Sequence, residues 1–254
     1  MKADRARRWA LTIALTCFCA LLVGHDSAWG LITEAELKVR VEKAAKGLVD
    51  LTMVGTVTYK NRKSMEKVDP AYGRLYEFKS ANVLYKSPDK LRMEGKLGMV
   101  KFEYIINGGL KIIRVPNLRI NKKENFTDDP AKLQRALDIG LVTPSVWQDR
   151  RVSIVEDAQA LAAGEIKLRL YWAKGDMIYH VWLDAENLWL KRFEKREAAG
   201  KLVVKVDYSS PQKIGGIIWM PTKTEVFGPD GEKAGASEMG DIKVNVGLAD
   251  SLFE

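Results

Sequence analysis

The sequence predicts a mainly β chain: one large antiparallel sheet with two or three helices covering its concave face. Three observations predict it. From Leu51 onward, apolar, β-branched and aromatic residues recur with a period of two in run after run, the pattern of strands with one buried face. The separators are short and rich in turn residues, such as Asn107-Gly108-Gly109, Lys174-Gly175-Asp176, Ala199-Gly200 and Pro229-Asp230-Gly231. Links of that length join antiparallel neighbours, since parallel strands need a long crossover. Helical spacing is confined to a few short segments, whose apolar stripes need a sheet face to rest on.

The elements follow in order. Thr33 with Glu36 three residues later forms a capping box, and Leu37, Val41, Ala44, Ala45 and Leu48 share one face, so an amphipathic helix runs from Thr33 to near Gly47. Strands are expected at Leu51 to Tyr59, Arg74 to Leu84, Lys90 to Glu94, Val100 to Ile106 and Leu110 to Val115, with Pro88-Asp89 as a turn. Asp129 and Pro130 supply an N-cap and a first-turn proline ahead of Leu133, Ala136, Leu137 and Leu141, predicting a second helix. A shorter third helix is expected from Asp157 to Ala163, stopped by Gly164. Strands return at Ile166 to Ala173, Met177 to Asp184, Leu188 to Glu197, Lys201 to Tyr208, Ile217 to Phe227 and Ala236 to Val246. No linker, repeat or shift in composition divides this stretch, so residues 31–254 are expected to form one domain.

Residues 1–30 read as an address. Lys2, Arg5, Arg7 and Arg8 precede an apolar run from Trp9 to Val23, and Ala28 and Gly30 supply small residues before a cut after Gly30. The run is shorter than the ~20 apolar residues that span a bilayer, which favours a cleavable signal over a permanent anchor. The chain holds 254 residues, 46% of them hydrophobic, with a net charge of +8, 2 Cys and 2 His. Both cysteines and His25 lie in the leader, so the exported chain keeps no thiol and one imidazole, His180.

That inventory excludes disulfide frameworks, thiolate metal sites and thiol nucleophiles. His180 sits in a strand between Tyr179 and Val181 with no partner at useful spacing, and reads as structural. Nucleophile-elbow, phosphate-loop and dinucleotide fingerprints are missing from the sequence. No catalysis, cofactor or metal is expected. The basic excess forms no Lys/Arg stripe, so nucleic acid is not expected as a partner and the charge reads as a solvated surface.

The aromatic residues are more informative. Large rings on a curved sheet either fill a core or line an apolar pocket. Strand alternation nominates Phe102, Tyr104 and Ile106; Leu170 and Trp172; Trp182; Leu202, Val204 and Val206; and Trp219 as inward-facing, each open to either reading.

The order of several short motifs resembles a known family. "YKSPDKLRMEG" from Tyr85 to Gly95 and "IINGGLKIIRV" are similar to the first strands and Asn-Gly hairpin of the periplasmic outer-membrane lipoprotein carrier superfamily, the LolA-like proteins. "HVWLDAENLWLKRFEKREAAGKLVVKVDYSS", "GGIIWMPTKTEVF" and "DIKVNVGLADSLFE" resemble its outer-membrane lipoprotein-sorting branch. The resemblance covers roughly Leu31 to Glu254, except Lys122 to Gln148. It implies a single strongly curved antiparallel sheet forming an incomplete barrel, lid helices over its hollow side, and an apolar cavity that shelters acyl chains in the periplasm. The partners it implies are an acylated lipoprotein or lipid cargo, an inner-membrane transporter, an outer-membrane acceptor and transient membrane contact, with the protein itself monomeric. An envelope-stress sensor of the same fold, acting as a protein-interaction module, is the alternative.

Overall fold

The computed structural model describes residues 32–68, 78–172 and 174–254. The expected leader and its cut site, and the start of the strand expected from Arg74, lie outside them. Residues Thr33–Glu254 form a compact unit.

Among the described residues thirteen strands form one sheet in which every pair is antiparallel. They are β1 (Asp50–Lys60), β2 (Ser80–Lys86), β3 (Lys90–Leu97), β4 (Val100–Asn107), β5 (Leu110–Val115), β6 (Ile120–Asn125), β7 (Arg150–Ile154), β8 (Glu165–Trp172), β9 (Ile178–Asp184), β10 (Leu190–Arg196), β11 (Leu202–Ile214), β12 (Ile218–Phe227) and β13 (Lys233–Val244). Their order is β6-β5-β4-β3-β2-β1-β13-β12-β11-β10-β9-β8-β7. Two meanders therefore join through β1 and β13, and β6 and β7 remain as unpaired edges, so the half-barrel is open. One extra residue bulges from β13 opposite Thr52 and Val54, at Asp241 with φ +50°.

β6 and β7 were not expected from the sequence. β6 reads Ile-Asn-Lys-Lys-Glu-Asn with no buried residue, and β7 is five residues long with only Val152 buried. Short, charged edge strands carry no apolar alternation, and the same charges discourage edge-to-edge pairing with another chain.

Helix α1 (Glu34–Ala44) has its capping box, with the Thr33 N–H donating to Glu36 Oε2 at 2.8 Å and the Glu36 N–H to Thr33 Oγ1 at 3.2 Å. It buries Leu37 and Val41 and packs on β7 and the Pro144–Trp147 turn. α2 (Arg62–Val68), not expected, buries Met65 against Val204, Val226 and Ala234. α3 (Ala158–Ala162) starts at the Asp157 cap as the sequence implies.

The second helix is a correction. Residues from Asp129 to Gln148 form three separate 3-10 turns, Pro130–Lys132, Ala136–Ile139 and Pro144–Trp147. Prolines at 130 and 144 start two of them and Gly140, at φ +83°, stops the middle one, so no continuous helix can propagate. Its apolar residues are nevertheless used as expected: Leu133, Ala136 and Leu141 pack against Leu51, Val83, Leu91, Ile106 and Met220 on the covered face of the sheet. The segment roofs the inner face as a string of turns.

On the outer face of β3 to β5 the chain's own end forms the cover. Phe253 is buried with Ile105 and Ile112, and Arg92 Nη1 donates to the Leu252 carbonyl at 2.6 Å. Asp50, itself buried, fixes the approach to this segment by accepting the backbone N–H groups of Val246, Gly247 and Leu248 at 2.7, 3.1 and 2.9 Å.

Candidate functional site

The inner face is solid in one part and hollow in another, and strand register decides which. Residues paired across antiparallel strands stand side by side on one face. One such row runs Ile106, Leu91, Tyr85, Leu51, and every member is buried. The next runs Tyr104, Met93, Val83, Met53. The third runs Phe102, Gly95, Ala81, Gly55, Met239, so three small residues lie on adjacent strands between two large ones. Above that gap is a cavity of about 230 Å³.

Gly55, Ala81 and Gly95 are its floor; Met53, Val57, Met93, Phe102, Tyr104 and Met239 are its walls; Ile139 and Asp138 reach it from the roof. Phe78 closes one side, its ring 5.6 Å from that of Phe102. Gly95 is required there, because a Cβ at that position would meet the Phe78 ring at 2.8 Å. Tyr208, Thr224 and Ser237 place hydroxyls at the β11 to β13 side. The result is an apolar hollow with a polar margin, the usual form of a site for a hydrophobic ligand.

Asp138 and Glu94 are the acidic groups lining this hollow, and Asp138 remains exposed. Its N-H partner is Arg135, whose backbone donates to Asp138 Oδ2 at 2.7 Å and closes the Ala136–Ile139 turn. The free surface of the carboxylate faces the main cavity and a smaller one of about 40 Å³. Desolvation raises its pKa above the ordinary range, opposed by Arg150, the Arg135 amide and the Arg135 charge. Arg150, lowered by the same effect, stacks 4.5 Å over Trp172.

The nominated lining residues divide accordingly. Phe102 and Tyr104 line the main cavity, and Leu170 and Trp172 line the smaller one with Leu133, Leu137 and Phe193. Ile106 belongs to the solid row below the cavity. Val204 and Val206 pack with Met65 and Val226, and Leu202 is half-buried at the start of β11. The structure does not bring these three to either hollow.

Trp182 lies on the opposite face from the one expected. Its cross-strand neighbours are Lys167 and Arg192, while Val181 and Leu183 on either side are buried inward. The indole is covered by Lys167 Nζ at 5.0 Å and the Arg192 guanidinium at 5.3 Å, with His180 edge-on at 6.0 Å. Burial, then Lys167 and Arg169, lower the His180 pKa. Trp219 pairs with Lys213 and opens onto an external groove beside α1. Both tryptophans alternate with apolar residues, so sequence alone cannot tell a ring roofed by cationic stems from one in a core.

An open antiparallel half-barrel with an apolar hollow under a roof of turns defines the class of this protein. No family model and no curated protein matches the chain. Solved structures do. A domain of an outer membrane lipoprotein-sorting protein from Vibrio parahaemolyticus superposes with a TM-score of 0.60 at 11% identity, over 87% of this chain and 94% of that one. A LolA superfamily protein from Nitrosomonas europaea gives 0.55 at 12% identity, over 88% and 98%. A DUF1329 family protein from Desulfovibrio piger gives 0.50 at 16% identity, over 86% and 95%. The chain therefore has the LolA-like fold that its motifs resemble. Among the described residues no helix is long and apolar enough to cross a membrane.

Proposed function

We propose that the protein is a non-catalytic carrier that shelters an acyl chain of a lipid or lipoprotein in the hollow over Gly55, Ala81 and Gly95, acting in the periplasm on its way to the outer membrane. The observation that supports this most is the row of three small residues walled by Phe102 and Met239. A sheet selected only for packing has no use for such a gap, since an empty apolar void of this kind costs stability. Each acyl methylene moved from water into the hollow contributes about 0.8 kcal/mol, so a preformed cavity competes for chains without nucleotide or covalent chemistry. The apolar walls hold the chain, and the hydroxyls of Tyr208, Thr224 and Ser237 stand where its polar end would emerge. The likeness in fold to a lipoprotein-sorting domain accords with this, as does the signal-like leader.

The test is mass spectrometry of an organic extract from gently purified protein, beside a variant in which Ala81→Leu fills the floor. Acyl lipid in the parent and its depletion in the variant support the reading. A parent that carries no lipid and takes up no acylated peptide from micelles overturns it.

A further inference from the structure

The groove onto which Trp219 opens lies apart from the inner hollow, and the linings share no residue. It encloses about 660 Å³ between the C-terminal half of α1, the Glu186–Leu188 turn and the β11–β12 hairpin. Arg40 and Lys43 lie three apart on α1, which makes them neighbours on one side of the helix, and Lys46 follows in the turn just after its end. Lys213 faces them from β11, and Glu186 is the single acidic residue of the lining. Arg40 is held in place by donating from Nη2 to the Ala185 carbonyl at 2.6 Å. Lys43, Lys46 and Lys213 have no ion-pair partner among the described residues. Elsewhere on the sheet lysines such as Lys101, Lys167, Lys205 and Lys233 are matched to a carboxylate, whereas here three unmatched ones converge on one groove.

The floor between these cations is apolar, formed by Val41, Val142, Leu188, Ile217 and the half-buried Trp219. Next to Lys46 the chain also exposes two valines, Val49 at 55% and Val246 at 47%. They are held side by side by Asn245, which accepts from the Val49 N–H at 2.9 Å and donates to the Gly47 carbonyl at 2.8 Å. Unmatched cations around an apolar, tryptophan-bearing floor are what an anionic lipid surface recognises: the charges meet the headgroups while the indole and valines enter the interfacial layer. A polyanion without an apolar part would have no use for the floor.

We infer that this groove is a membrane-docking site that seats the anionic headgroup of a bilayer phospholipid. The site is distinct from the inner cavity and does not depend on the carrier reading.

Vesicle flotation of Thr33–Glu254 tests it; this unit is compact, and the clusters of buried side chains among its described residues are drawn from within it. The probes are vesicles of phosphatidylcholine with and without phosphatidylglycerol. The protein is expected to float only with phosphatidylglycerol, and to be released by salt. Each lysine at a charged membrane surface is worth roughly a fivefold factor in partitioning, so the triple variant K43Q/K46Q/K213Q should bind about a hundredfold more weakly. The triple variant K96Q/K123Q/K174Q, which removes the same charge elsewhere, should bind as the parent does. Equal binding to both vesicle types, or equal losses in the two triple variants, overturns the assignment. Ala81→Leu is expected to leave flotation unchanged while acyl uptake falls, so failure of the docking site and failure of the cavity reading are told apart.

Discussion

Ala81→Leu is the most discriminating perturbation of the cavity. Ala81 stands in the middle of the small row, between Gly55 and Gly95, and its side chain borders the open space. A space of about 230 Å³ holds about eight groups the size of a water or methylene, each taking ~30 Å³. Filled by an acyl chain, it returns a gross gain of about 6 kcal/mol at 0.8 kcal/mol per methylene. Leucine adds three carbons to the floor, displacing about three methylenes of ligand and about 2.4 kcal/mol, or roughly fiftyfold in affinity. The same three carbons cover apolar floor that the unliganded protein leaves open, which at about 0.8 kcal/mol per methylene stabilises it by about 2 kcal/mol. The two effects have opposite signs, so a misfolded variant cannot imitate them. Titration with a dansyl-labelled fatty acid reads the first and urea unfolding reads the second, with Ala162→Leu on the exposed side of α3 as control. An Ala81→Leu protein that binds the probe as tightly as the parent would refute the placement of the ligand, whatever lipid the protein carries.

Two further outcomes follow, one from a buried and one from a paired carboxylate. Asp50→Asn loses charge-assisted bonds from Val246, Gly247 and Leu248, so unfolding free energy should drop by about 3 kcal/mol or more; an unchanged urea midpoint would contradict it. Asp250 is held at a pKa of about 2, against an ordinary 3.8, by hydrogen bonds from Lys90 and Lys86. Its contribution to stability is present above pH 3.8 and is lost as pH falls through 2, so Asp250→Asn should flatten the acid limb of a stability profile in that window and leave the neutral region's slope alone.

Much of the fold was legible because its signals are local. The Thr33 capping box, the Asn107-Gly108-Gly109 hairpin, with Gly108 at φ +57°, and the Asp157 cap all act within a few residues, and each is where the sequence puts it. The edges were illegible for the complementary reason. β6 and β7 are strands because β5 and β8 lend them hydrogen-bond partners, while their own residues, among them Lys122, Lys123, Arg150 and Arg151, state nothing but solubility. The roof deceived through a true signal: Leu133, Ala136, Leu137 and Leu141 are spaced for a helix and are all buried, but Pro144 and Gly140 divide the segment into turns.

The site was missed in a more instructive way. A search for cavity residues by sequence looks for large apolar side chains; of its nominations Phe102 and Tyr104 line the main hollow and Leu170 and Trp172 the smaller one, while Ile106 fills the core beneath. A hollow, however, is made by what is small. Gly55, Ala81 and Gly95 are unremarkable in their own strands, where a glycine or alanine ordinarily marks a weak point or a bend. They become a floor only when the register Phe102-Gly95-Ala81-Gly55-Met239 lines them up across five strands. The proposed docking groove is legible in the same limited sense: Arg40, Lys43 and Lys46 mark a basic helix end and the turn after it, yet Lys213 and Trp219 join them only through the β11–β12 hairpin. Both sites are thus properties of strand pairing rather than of any one segment. A one-residue slip of β2 against its neighbours would carry Ala81 to the outer face and put the polar Asn82 in its place, converting the hollow into packed polar surface. The proposed acyl-chain site should therefore depend as strongly on what fixes register, such as the β13 bulge at Asp241 and the Ser87-Pro88-Asp89 turn between β2 and β3, as on the side chains that line the hollow.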